Sequence, residues 1–331
     1  MQVTTDKKLL TIAIPTFNRN AILLKNLERL MPQMEDWVEL LIFDNNSKIL
    51  VSETVRPIID NHPEICTRIF RNAENIGGNA NVLRCIEFCE TEYIWIVGDD
   101  DFPVEDALRK IYIYISKRDV VWVNFYSEDL CQPKRTEKSS HADLNGFLGE
   151  LKSINELVFV STNIYKTSYV KKGLEFGNMF QEMMAPHLIS MISGIERSST
   201  TGNYIISKEN LFASISNNAD TTTAWPLYKA FLGVMSLYQL PFGNDVATHI
   251  LRLVRGTRSQ WINNRNMLSA FSKLSSKHGR IWSFKISSHF VISLLIIDRW
   301  RFFISFPVYI LAILFGPSFY NWKETYLNRF R

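Results

Sequence analysis

Cysteine is scarce in this chain of 331 residues, and none of the four forms a CxxC pair. Cys66, Cys85, Cys89 and Cys131 therefore offer no thiolate metal spacing, and a reduced, cytosolic compartment is expected. Cys85 and Cys89 stand one helical turn apart, the usual spacing of two small core residues. The N-terminus also lacks a signal peptide on this reading, because "MQVTTDKK" leads directly into an apolar strand. No long low-complexity tract argues for disorder, and no nucleic-acid-binding motif appears. Acids are the other shortage: from Pro226 onward only Asp245, Asp298 and Glu324 face 14 Lys or Arg, a local net of +11. Of 37 basic and 33 acidic residues in all, 23 and 30 precede that point, a net of −7. An acidic body with a basic tail points to an anionic partner for the tail.

What is present is apolar sequence, 46% of the chain, enough for one large domain with an appendage or for two domains. "LLTIAIPTF" (9–17) reads as a strand stopped by Pro15, and the segment that follows has Ile22, Leu23, Leu27, Leu30 and Met31 at helical spacing. "VELLIFDNNS" (38–47) is a second strand with Asp44 at its carboxyl end. "TRIFRNAENIGG" (67–78) holds a third strand and a glycine turn, "NANVLRCIEFCE" a helix, and "YIWIVG" a fourth strand. "VEDALRKIYIYI" and "DVVWVNFY" continue the alternation. Near-continuous apolar strands separated by helices predict an α/β fold, a mostly parallel sheet covered on both faces.

Ligands of such sheets bind outside the carboxyl ends of the strands. The polar segments found there are "PTFNR", "DNNS", "RNAENIGGNAN" and "GDDD", and their convergence says more than any one of them. Each alone also reads as turn chemistry: a capping Thr or Asn, an Asx turn, a glycine at positive φ. Asp99, Asp100 and Asp101 repel one another and cannot be buried unpaired. Fixed at a strand end, they suit Mg²⁺ or Mn²⁺ bridging a diphosphate; a solvated acidic turn is the plainer alternative.

In order and wording these segments resemble family 2 GT-A glycosyltransferases, and more narrowly the abequosyltransferase-like members that build bacterial O-antigen repeats, over about residues 8–220. The resemblance implies a GT-A (Rossmann-like) fold, a nucleotide-sugar donor, a lipid-linked saccharide acceptor (polyprenyl-diphosphate-linked) and a divalent metal. It implies that Pro15, Thr16, Asn18 and Arg19 line the nucleotide pocket, that Asp44 contacts the base with Arg71 at that edge, and that Gly77 and Gly78 let the backbone approach the donor beside Asn81. The family's acidic motif is Asp-x-Asp-Asp. Gly98 replaces its first Asp here, so Asp100 and Asp101 match the later positions as metal ligands, with Asp99 on the cofactor side; Asp99–Asp101 also reads as a DxD. An inverting transfer needs a base for the acceptor hydroxyl. The family's Glu-Asp pair is missing, and in "FQEMMAPHLISMI" His187 falls in its place, with Glu182 the nearest carboxylate; a structural histidine at a helix start is the alternative. Asn217, Asn218 and Asp220 are weak candidates for a loop closing over the donor, or part of a linker.

The domain reading is a catalytic domain at 1–224 and a helical, basic, apolar region at 225–331. "HILRLVRGTR" spaces Arg252, Arg255 and Arg258 by three, and "FFISFPVYILAILFGPSFYNW" is about twenty residues without a charge. Trp300, Tyr320 and Trp322 with the basic residues suit a membrane interface; a soluble hydrophobic subdomain or a subunit contact is the alternative. The expected location is the cytoplasmic face of the inner membrane, with no nucleic-acid partner. A nucleotidyltransferase would want a Gly-rich basic loop after the first strand, which "PTFNRN" lacks. A non-catalytic sugar-nucleotide sensor is favoured only by the missing Glu-Asp pair.

Overall fold

The computed structural model describes residues 8–128, 134–183, 185–198, 202–215, 233 and 237–261, with scattered helical positions beyond 261. Asn217, Asn218, Asp220 and most of the apolar run after Arg301 lie outside the described residues.

The chain divides into two units, and the first comprises residues 1–151, 155–181 and 185–218. In it β1 (Leu10–Thr16), α1 (Asn20–Leu30), β2 (Val38–Asp44), α2 (Val51–Asp60), β3 (Cys66–Arg71), α3 (Gly78–Phe88) and β4 (Tyr93–Ile96) alternate; α2 is the one element of this run that the apolar pattern did not mark. Then come β5 (Asp101–Pro103), α4 (Ala107–Ile115), β6 (Val120–Tyr126), β7 (Ser139–His141), α5 (Leu144–Glu150), α6 (Asn155–Val158) and β8 (Asn163–Lys166). Three helices, α7 (Thr167–Lys172), α8 (Leu174–Met179) and α9 (Pro186–Glu196), precede β9 (Asn203–Asn210) and β10 (Phe212–Ile215).

Eight strands form one sheet in the order β3-β2-β1-β4-β8-β6-β9-β7, and β5 pairs with β10 apart from it. β1, β2, β3 and β4 are parallel neighbours, whereas β8 runs antiparallel between β4 and β6. Every residue of β2, β4 and β6 is buried, so no face of these strands meets water. Trp95, Trp122, Tyr93 and Phe43 are among the largest fully buried side chains. Burying such rings contributes about 25 cal/mol per Å² of apolar surface, and this holds the strand ends in fixed register.

The second unit contains residues 152–154, 182–184 and 219–331. Its best-described element is α10 (Asn244–Trp261), whose Leu253 carbonyl and Thr257 hydroxyl both accept from the Ile154 N–H, at 3.2 and 3.0 Å. Arg252 and Arg255 of α10 are exposed. Among the described residues, no helix is long and apolar enough to cross a membrane.

Candidate functional site

Strand register sets the geometry. Thr16 pairs with Asp44 and Asp44 with Arg71, which lines up the last residues of β1, β2 and β3 at about 4.8 Å intervals. β4 joins this row from the other side, where the Thr16 hydroxyl donates to Asp99 Oδ2 at 2.7 Å.

The β2–β3 end is a polar lattice. Asp44 is buried; its Oδ1 accepts the Ser47 N–H at 2.8 Å and its Oδ2 pairs with Arg71 Nη1. Arg71 also donates to Asn46 Oδ1 and to the Ser47 carbonyl. Asn45 accepts from Asn72 and from the Ile76 N–H and donates to Asn75, pinning the loop ahead of α3. Gly77 caps α3 at φ +88°, a conformation that favours glycine, with open space where a Cβ would stand. Asn18, at φ +56°, accepts the Lys48 N–H and donates its own N–H to Ser47 Oγ, tying the β1 loop to the β2 loop.

The β4 end holds the aspartates. Arg19 Nη1 lies 3.1 Å from Asp99 Oδ1, and Nη2 lies 2.5 Å from Asp100 Oδ2. These neighbours hold the guanidinium protonated although burial opposes them. Asp101 turns inward, where its Oδ2 accepts the Ser161 hydroxyl at 2.5 Å. Asn26 donates to the carbonyls of Gly98 and Asp101 at 3.0 and 3.1 Å and clamps the turn between them. Burial pushes the Asp99 carboxyl up to about 6, against the pull of Arg19 and Thr16. Burial, with Asp100 and Asp99 adding, pushes Asp101 up to about 7.

Three residues stand otherwise than the sequence suggests. Asn81, expected beside the donor, is buried, donating to the Phe43 carbonyl and accepting from Asn72, so it supports the loop. Asp101, expected as a metal ligand, faces Ser161, and Asp100 is the half-buried carboxylate of the triplet. His187, expected as the base, is in the core beside Tyr165, with its ring against the carbonyls of Leu157 and Val158. Burial lowers it to about 4, too weak a base for neutral pH. Glu182 is exposed and belongs to the second unit. Sequence reasoning missed Ser161, which no motif marks. It also missed Asn26, a polar residue on the helix face that buries Leu23, Leu27 and Leu30.

Among the described residues no group of three or more His, Cys, Asp and Glu is arranged to hold a metal ion. The charge balance still fits a divalent cation: one guanidinium pairs with two carboxylates, Asp99 and Asp100, and Asp101 stands behind them on Ser161. Mg²⁺ and Mn²⁺ need only one or two protein carboxylates when phosphate and water complete the shell.

Residues 11–174 match the model of the family described as glycosyl transferase family 2. Abequosyltransferase RfbV of Salmonella typhimurium is 26% identical over 192 residues, 57% of this chain and 54% of that protein. The chain spans about half the length of the curated relatives it matches. Among solved structures, S. aureus TarS 1-349 in complex with UDP-GlcNAc gives a TM-score of 0.63 at 12% identity, covering 95% of this chain and 92% of that one. Mannosyltransferase PcManGT from Pyrobaculum calidifontis, in complex with GDP-Man and Mn²⁺, gives 0.54 at 12% identity, covering 95% and 88%. At such identities the likeness is one of fold.

Proposed function

The chain carries a glycosyl transferase family 2 domain over residues 11–174, and from that premise we propose that it moves a sugar from a nucleotide-sugar donor to a lipid-linked saccharide in bacterial surface-polysaccharide synthesis. The observation that carries this reading is the row of Thr16, Asp44 and Arg71 closed by the Asp99–Asp101 turn. In this reading the nucleoside lies at the Asp44–Arg71 end and its diphosphate at the Arg19–Asp100 end. Gly77 leaves the backbone open to the donor, and Gly78 begins α3 beside it.

A bound Mn²⁺ or Mg²⁺ would supply positive charge to the leaving nucleoside diphosphate. Asp100 would hold it, with Asp99 behind, and Asp101 anchors the turn through Ser161. In an inverting transfer a base removes the proton of the attacking hydroxyl. Abequosyltransferase RfbV supports the O-antigen context. The basic tail supports attachment to the cytoplasmic face of the membrane, where a polyprenyl-diphosphate-linked acceptor would be met.

Donor hydrolysis in the presence of Mn²⁺, by the wild-type chain and by Asp100→Asn, tests the reading. Asp100→Asn should lose about 10²-fold or more in turnover with its fold intact, as expected when charge stabilisation of the leaving group is removed. Near-normal turnover with unchanged metal dependence would contradict it.

A further inference from the structure

Arg19 is an odd neighbour for a metal site. Its guanidinium bridges Asp99 and Asp100, the two carboxylates that would meet a divalent cation. A guanidinium and a divalent ion a few Å apart on the same oxygens repel strongly, so the two cannot both be held there. Arg19 is also incompletely bonded: its Nε and Nη2 are buried and make no hydrogen bond within the protein, so Nη2 meets Asp100 as an ion pair only. Those are two donor nitrogens left over in a side chain held to the aspartates by ion pairs.

The backbone under Arg19 is held independently of its side chain's ion pairs. The Arg19 carbonyl accepts from the N–H groups of Ile22 and Leu23 at 2.9 and 3.0 Å, opening α1. Asn18 is held on both sides, by Ser47 and by Lys48. Exchange of partners thus needs only side-chain rotation, with no loop movement.

We propose that Arg19 is an internal counter-cation that holds Asp99 and Asp100 in the metal-free protein, yields them to the divalent ion, and turns to the donor diphosphate. Rotation frees the planar donor fork, Nε included, for phosphate oxygens, the geometry guanidinium groups favour. Metal and nucleoside diphosphate then bind cooperatively, because each takes over a partner the other releases. The inference rests on the metal-dependent reading above and adds the order in which the charges are exchanged.

Mn²⁺ titration followed by electron paramagnetic resonance, with and without UDP or GDP, separates the two. In the wild-type chain Mn²⁺ alone should bind weakly and tighten when a nucleoside diphosphate is added. Arg19→Gln should bind Mn²⁺ alone about tenfold more tightly, since the carboxylates are no longer occupied most of the time. Its nucleoside diphosphate affinity at saturating Mn²⁺ should fall, and the cooperativity should disappear. Arg19→Lys, which keeps the charge, should resemble the wild type toward Mn²⁺ alone and guards against a folding artefact. Unchanged or weaker Mn²⁺ binding by Arg19→Gln overturns the exchange while leaving a metal-dependent transferase intact. No Mn²⁺ binding by any variant, even with nucleoside diphosphate present, overturns both the exchange and the metal reading.

Discussion

A methyl group at position 98 would stand 2.5 Å from Asp101 Oδ2, and the glycine there is what lets Asp101 fold back onto Ser161. The glycine thus has a steric consequence: it leaves room for the Asp101 carboxylate to turn inward. Residues that end strands, such as Thr16 and Asp44, were legible because Pro15 and the polar runs mark where each strand stops. Ser161 and Asn26 were not, since their partners in the turn lie 60 and 75 residues away in sequence. His187 was misread because its position at a helix start says nothing about depth. Its burial makes a pH prediction. The folded chain holds it at about 4 against 6.5 unfolded, so between these values the unfolded state binds more protons. Its contribution is therefore present above 6.5 and is lost as pH falls toward 4. Asp99 and Asp101, raised to about 6 and 7, act oppositely: stability falls as pH rises from 3.8 through those values. Urea unfolding of the wild type and of His187→Gln isolates the histidine. The wild type should lose about 2 kcal/mol more than the variant between pH 7 and pH 5. Parallel pH profiles would mean that His187 titrates normally.

At the scale of elements, most of the alternation from β1 to β6, though not α2 or β5, was readable because strands buried on both faces are continuous apolar runs, and the helices read between them keep their own period. β8 was not. It is four residues long, it sits antiparallel between β4 and β6, and its Asn163 pairs with Trp122 and Asn124 inside the core. A short strand with a buried amide gives no periodic signal, so the segment from Ser139 to Met179 showed no motif. α10 is legible as a helix and exposes Arg252 and Arg255 beside buried Leu253 and Val254. The membrane proposal for the tail is tested by flotation of the full chain with vesicles. It should rise with phosphatidylglycerol vesicles and much less with phosphatidylcholine, and added salt should weaken any part held by exposed charge, which is screened over about 8–10 Å. Failure to float with anionic vesicles would assign the apolar run to a helical subdomain or a subunit contact.

For the whole molecule, an acidic body net −7 is joined to a basic tail net +11, with the proposed donor crevice built entirely from residues of the first unit. The central claim is that this crevice binds a nucleotide sugar through a divalent metal. Thermal unfolding with UDP-, GDP-, CDP- and dTDP-sugars, each with and without Mn²⁺, tests it most directly. A ligand that binds only the native state adds about 2.7 kcal/mol of stability at one hundred times its Kd. The account predicts that at least one nucleotide sugar raises the midpoint, that Mn²⁺ enlarges the rise, and that the matching nucleoside diphosphate reproduces most of it. No rise with any of them, in the presence or absence of Mn²⁺, would contradict it.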